Sequence, residues 1–262
     1  MSEFEKLKIV TEYEFLKHLR RKRLYAVIGL VIAVELSFLV GLPLLGEGYP
    51  ADVTAMASML SIGSCFAVIG AVFFAGDAIA GEFEGKTGYI LFPNPVRRTT
   101  IVIGKYLACY AAIALIILLG YGIACASLLG IYGQIPIETA SSFALCLLFT
   151  GSVISLTFLF SSVFKGAMGA TVMTLAFMFI ISGTLDAVLM MAGQQGWFLL
   201  SRAADTIVMV YPGATAMFAG MAHGMPAGVF EYNIGLCAAA MATYFVVCFL
   251  LSTWITNRRE MI

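Results

Sequence analysis

The sequence predicts an all-α, polytopic membrane protein with six transmembrane helices. Hydrophobic residues fill 61% of the 262 positions and charged residues only 11%, where a soluble domain carries about a quarter. Mean hydropathy is +0.98. Six apolar runs, each able to supply the ~20 helical residues that a bilayer core needs, are separated by mostly short polar segments. Backbone groups in lipid must be satisfied within their own segment, so runs of this length are helices. Net charge is zero, which gives no footing for nucleic acid as a partner.

Residues 1–23 are polar and helix-prone. Phe4, Leu7, Val10, Tyr13, Leu16 and Leu19 recur every third residue, a spacing that drifts around a 3.6-residue helix. A basic cluster, Lys17 with Arg20 to Arg23, abuts the first span. This segment reads as an interfacial helix held by anionic lipid, or as a solvated tail. No cleavable leader is expected, because a long charged stretch precedes any apolar run. Residues 24–262 then form a single six-helix domain, with spans at about 24–45, 54–76, 101–130, 143–164, 167–192 and 232–256. The third run is long enough to tilt or project.

Orientation follows from Lys and Arg. Of the 15 such residues, only Arg202 falls on the side opposite the N-terminus. The positive-inside rule therefore places both termini in the cytoplasm. The segment 193–231 stays rather apolar and is divided by Pro212-Gly213. Each half is too short to span, so two interfacial or re-entrant helices are expected at the outer face before the sixth span. Small residues recur at four-residue spacing in span two (Gly63, Ala67, Ala71), span five (Gly166, Ala170, Thr174) and span six (Gly235, Ala239, Thr243). Such stripes let helix backbones approach closely, within one chain or between two.

No constellation for catalysis stands out. Ala80–Thr87, AGEFEGKT, nearly matches a phosphate-binding loop, but Ala80 replaces its first glycine and Glu82 and Glu84 would point at the phosphates. The six cysteines lie in apolar runs with no C-x-x-C pair, and the two histidines are far apart, so no metal site is expected. Methionines around the outer segment read as gap-fillers. Glu35 sits at the midpoint of span one, where a carboxylate costs about 2.5–3.5 kcal/mol. It suits a cargo contact, a proton site or a gate, or else a buried polar contact to a hydroxyl or carbonyl. Asp186, toward the outer end of span five, reads as a water-facing cap with Ser182 and Thr184 in reach. Both acids are candidates for a translocation path.

The one sizeable polar island between two apolar runs is Asp77 to Lys105. An acidic residue (Glu82), a Gly-Thr pair (Gly85 with Thr87, interrupted by Lys86), a leucine (Leu91), prolines (Pro93, Pro95), basic residues (Arg97, Arg98) and a lysine opening span three (Lys105) follow one another here. This order resembles the permease subunits of ATP-binding-cassette exporters of the ABC-2, or type V, class. The span count, the basic N-terminal segment and the broken outer segment, with helices similar to Ile207–Met221, extend the resemblance along the chain. It implies a cytoplasmic coupling helix after the second span, from about Gly81 to Pro93. Gly81, Glu82, Gly85, Lys86, Thr87, Leu91, Pro93 and Arg97 would carry the contact to the ATPase. It further implies two ATPase subunits, a second permease of the same or another kind, and surrounding lipid in a prokaryotic plasma membrane. ATP and magnesium would be held by the partner, and this chain would bind no cofactor and catalyse nothing. The alternative is a secondary transporter with Glu35 as its ion site. The transported substrate is not readable.

Overall fold

A 35-residue helix sets the dimensions of the bundle. Arg98–Tyr132 contains no proline and ends on Gly133, whose left-handed backbone (φ 71°) lets its N–H bond the Leu129 carbonyl. At 1.5 Å per residue it is about 52 Å long, well beyond a ~30 Å hydrocarbon core. The computed structural model describes residues 2–20, 22–44, 48–85, 97–194, 196–212, 214 and 233–258. Among them no strand occurs.

In chain order the helices are α1 (Glu3–Arg20), α2 (Lys22–Leu44), α3 (Val53–Leu60), α4 (Gly63–Ala75), α5 (Ala80–Glu84), α6 (Arg98–Tyr132) and α7 (Glu138–Val163). They continue with α8 (Ala167–Leu175), a π-helical turn (Ala176–Ile181), α9 (Ser182–Met191), α10 (Leu200–Met209) and α11 (Ile234–Arg258). Among the described residues six stretches are long and apolar enough to cross a membrane: Lys22–Leu44, Val53–Glu82, Arg98–Tyr132, Glu138–Val163, Ala167–Leu189 and Ile234–Arg258. These are the six expected spans, with ends shifted by a few residues. An even number of crossings returns the chain to the face on which α1 lies, here called the α1 face.

Two spans are less regular than their composition suggests. Span two breaks at Ser61–Ile62, where Ser61 leaves helical geometry (φ −82°, ψ 51°). The break is not left unsatisfied: Ser61 N–H bonds the Ser58 carbonyl, its hydroxyl bonds the Ala57 carbonyl, and it shares a 2.8 Å hydrogen bond with the Tyr211 phenol. Span five carries the π-helical turn, which inserts an extra residue per turn and re-aims the side chains beyond it.

Span four is the centre. Every residue from Phe149 to Phe158 is buried, and its hydroxyls are used as links rather than left idle. Ser152 donates to the Met241 carbonyl of span six at 2.7 Å, and Tyr106 of span three donates to the Gly151 carbonyl at 2.9 Å. The core around it is apolar and aromatic, with Phe74, Ile113, Ile117, Phe149 and Phe158 fully buried. The small-residue stripes separate. Gly63, Ala67 and Ala71 of span two face inward, and Ala170 and Thr174 of span five are buried. Gly235, Ala239 and Thr243 of span six face outward.

The N-terminal helix is docked on the protein along one side. Its inward stripe runs Leu7, Val10, Thr11, Glu14, His18, a helical spacing that crosses α6 at Gly104. A Cβ at Gly104 would come within 2.7 Å of Val10 Cγ1, so this crossing requires glycine. Phe4, Ile9, Tyr13 and Leu16 point outward. The three-residue repeat read from the sequence is thus divided between two faces. The overlong α6 supplies the post: its first turns receive α1.

Candidate functional site

The chain leaves span two through a turn at Gly76–Ile79 and a short helix, α5. Gly76 is dictated by packing: a Cβ there would collide with the Thr171 side chain of span five and approach the Val72 carbonyl at 2.7 Å. The turn frees backbone groups in a buried place, and Ser161 of span four satisfies three of them. Its oxygen accepts from Ile79 N–H (3.2 Å) and Ala80 N–H (2.9 Å), and its O–H donates to the Gly76 carbonyl (3.0 Å). That uses the hydroxyl's one proton and both lone pairs.

Acidic side chains then tie the same few residues outward. Asp77 Oδ2 lies 3.2 Å from Arg23 at the start of span one. Glu84 Oε2 accepts the Ala167 N–H at 2.8 Å, capping the first turn of span five, where the helix dipole favours a carboxylate. Glu82 Oε1 lies 2.8 Å from Lys105 Nζ in span three and 3.9 Å from Lys17 in α1. Lys105 Nζ is also 2.8 Å from Glu14 Oε1, and Glu14 Oε2 is 3.3 Å from Lys17. The Lys105 side chain is only 5% exposed. Burial alone raises the Glu14 carboxyl, but the neighbouring Lys105 and Lys17 ammoniums more than offset it and hold the group below its ordinary 4.5.

Residues 77–84 therefore contact α1 and spans one, three, four and five through polar bonds. A displacement of this segment is felt by most of the bundle at once. Among the residues assigned to coupling, Gly81 and Glu82 are half-buried, Gly85 and Arg97 are exposed, and Lys86, Thr87, Leu91 and Pro93 lie outside the described residues. Glu82 points into the protein's own ion network and Glu84 caps span five, which leaves Gly85 as the exposed position that follows α5. Sequence reasoning passed over Glu14 and Ser161, and read Glu84 only as an argument against phosphate binding. A serine in an apolar run gives no sign of which neighbour it serves.

The two candidate path acids differ. Glu35 is 1% exposed on the inward stripe of span one, Leu24, Val27, Val31, Glu35. Among the described residues its Oε2 has no hydrogen-bond partner, so none of their hydroxyls or carbonyls satisfies that oxygen. Asp186 is no water-facing cap satisfied by Ser182 and Thr184. It forms an ion pair with the buried Arg202 of α10, while Ser182 bonds Ser201 and Thr184 bonds carbonyls of its own helix. Helix packing thus brings to Arg202 an acid sixteen residues away in the chain.

The opposite face is closed by α10. It starts at Leu200, before the expected Ile207, and the segment continues to a buried Tyr211. The second expected outer helix falls on residues outside the described ones. A relay fixes α10: Tyr121 of span three shares a 2.7 Å bond with Ser142 of span four, which donates to the Ile207 carbonyl at 2.7 Å.

Residues 8–198 of this chain match the ABC-2 family transporter protein family. The chain belongs to the ABC-2 transporter family. Six spans within an ABC-2 chain make it a multi-pass membrane protein. Two curated relatives are similar to it. One is the probable ABC transporter permease protein NosY of Stutzerimonas stutzeri, 29% identical over 185 residues, 68% of this chain and 60% of that one. The other is the probable ABC transporter permease protein NosY of Pseudomonas aeruginosa, 31% identical over 88 residues, 34% of this chain and 32% of that one. The match thus spans less than two thirds of the length of either relative.

Proposed function

We propose that this chain is the permease subunit of an ABC exporter and that residues 77–105 receive the push of a separate ATPase. The observation that carries this reading is the attachment of residues 77–84 to α1 and four spans. A nucleotide-driven movement below is converted into relative motion of spans one, three, four and five, a rigid-element shift of the kind that alternates access. The Lys and Arg distribution supports placing this face, with both termini, in the cytoplasm of a prokaryotic cell whose plasma membrane the protein spans. Two ATPase chains supply ATP and magnesium, and this chain holds no cofactor of its own. Spans one, five and six bury only 17%, 17% and 22% of their apolar windows within the protomer, against 61% for spans two and four. Those open flanks support a second permease packed alongside, the same chain or another, with lipid around both.

Glu35 lies on the translocation path in this reading, and Asp186 locks the outer helix through Arg202. The test is a photo-crosslinker at the exposed Gly85 in native membranes. Capture of an ATP-binding chain is expected, with transport that stops without ATP. ATP-independent transport with no such chain captured would overturn the proposal.

Glu35, buried with an unpartnered oxygen, favours a second reading as the ion site of a secondary transporter. That reading expects Glu35→Gln to abolish proton- or cation-driven uptake in vesicles lacking ATP. Unchanged uptake in that variant would remove it.

A further inference from the structure

Spans two and five are interrupted, at Ser61–Ile62 and at the π-helical turn Ala176–Ile181, while spans three and four beside them run unbroken as α6 and α7. Each interruption divides an inner half from an outer half that is held differently. Below its break, span two belongs to the main core through Phe66, Ala67 and Phe74. Above the break, α3 leaves that core for a separate apolar cluster, where Met56, Ala57 and Leu60 meet Leu128 of α6 and Tyr211. Span five repeats the pattern. Ala170 and Thr174 are fully buried below the turn, whereas Ser182 is the one buried residue among the described side chains of α9.

One element grips both outer halves. α10, with the residues that follow it to Tyr211, is anchored on the unbroken spans through Tyr121, Ser142 and the Ile207 carbonyl. Toward span two, the Tyr211 phenol bonds Ser61 at the break itself. The Ser61 proton goes to the Ala57 carbonyl, so the phenol is the donor. Toward span five, the Ser182 O–H donates to Ser201 Oγ at 2.9 Å, and Arg202 pairs with Asp186.

We propose that α10 is a strap holding the outer halves of spans two and five in one arrangement, and that these halves swing about Ser61–Ile62 and the π-helical turn when the strap lets go. A few residues outside regular α-helix absorb a change of direction that an intact helix resists. The strap is fastened at the break on span two, and within about a turn and a half of it on span five, so a small shift of α10 reaches both hinges. This deepens the transport reading and rests on it for the source of force. The inner halves of the same two spans are tied to residues 77–84, span two by the chain itself and span five through Glu84. The strap is tested without nucleotide or partner, so its failure and the failure of that reading are separate results.

The experiment follows the full chain in phospholipid vesicles by hydrogen–deuterium exchange and mass spectrometry. Tyr211→Phe keeps the buried ring and removes the phenol proton. It should raise exchange about fivefold in α3, the worth of one ordinary hydrogen bond, and across the strap in α9 as well. Ser182→Ala works from the other side and should raise exchange in α9 and, across the strap, in α3. A disulfide staple, Ser182→Cys with Ser201→Cys, should do the reverse. Once oxidised it should slow exchange in α3 as well as in α9, and reductant should undo this. The inner halves, Gly63–Ala75 and Ala167–Leu175, should not change in any variant, which controls for folding. Changes confined in every variant to the span that was altered overturn the strap, because a local hydrogen bond loosens only its own helix. No change in α3 or α9 overturns it equally. Exchange that rises through the inner halves too overturns the hinges, because the bundle then loosens as a whole and not at its two breaks.

Discussion

The two ends of this bundle solve one problem with different chemistry. At the α1 face, spans are joined by charge: Lys105 between Glu14 and Glu82, Asp77 with Arg23, and Glu84 on the first turn of span five. At the opposite face they are joined chiefly by hydroxyls, Ser61 with Tyr211 and Tyr121 through Ser142 to Ile207, with one buried ion pair, Asp186–Arg202. Charged links act over longer distances and respond to pH and salt. Hydroxyl links are short-ranged, indifferent to pH, and fail all at once when geometry slips. Under the proposed function, the difference suits a face that takes up force and a face that opens and reseals.

The largest expected effect comes from Lys105→Met. It leaves two largely buried carboxylates facing each other and should cost about 3–5 kcal/mol, read as a lower Tm in detergent. The same network should weaken in acid. Glu14 is held below 4.5, so its contribution is present above that value and is lost as pH falls through the lower folded value. In Lys105→Met that acid sensitivity should shrink; an unchanged pH profile would show that the α1 face does not depend on charge.

Arg202→Leu comes next, at about 3 kcal/mol, because it orphans one carboxylate that keeps some access to water. Adding Asp186→Leu should recover most of the loss, since removing both partners spares the buried charge. A double variant no better than the single would mean that the pair orders α10 in a way apolar contact cannot replace.

Ser161→Ala follows, at about 2 kcal/mol, since it strands the Ile79 and Ala80 N–H groups. Hydrogen exchange at those two amides should rise more than at the core of span four. The smallest effect is expected from Arg23→Ala. This half-exposed pair should contribute below about 1 kcal/mol, vanishing in high salt. A loss as large as that of Lys105→Met would erase the distinction between buried and surface charge drawn here.

Much of the architecture can be read along the chain. The six spans are legible because hydropathy is a property of consecutive residues and the bilayer fixes the length required. Helix content follows from the same cause, since lipid offers no partner to an unpaired backbone. The polar island and its resemblance to ABC-2 permeases were visible for that reason too. Glu35 could be picked out because one carboxylate in an apolar run is conspicuous on its own.

What the sequence could not supply is partnership. Lys105 finds Glu14 across 91 residues, and Arg202 pairs with Asp186 from another helix. The break at Ser61–Ile62 and the π-helical turn at Ala176–Ile181 carry no proline to announce them. These features arise when helices pack. A crossing angle and an axial offset decide which polar groups meet, and neither quantity is encoded in any local window. Composition determined that this chain lives in a membrane and crosses it six times. Only the packed bundle decided that residues 77–84 are bound to nearly everything around them.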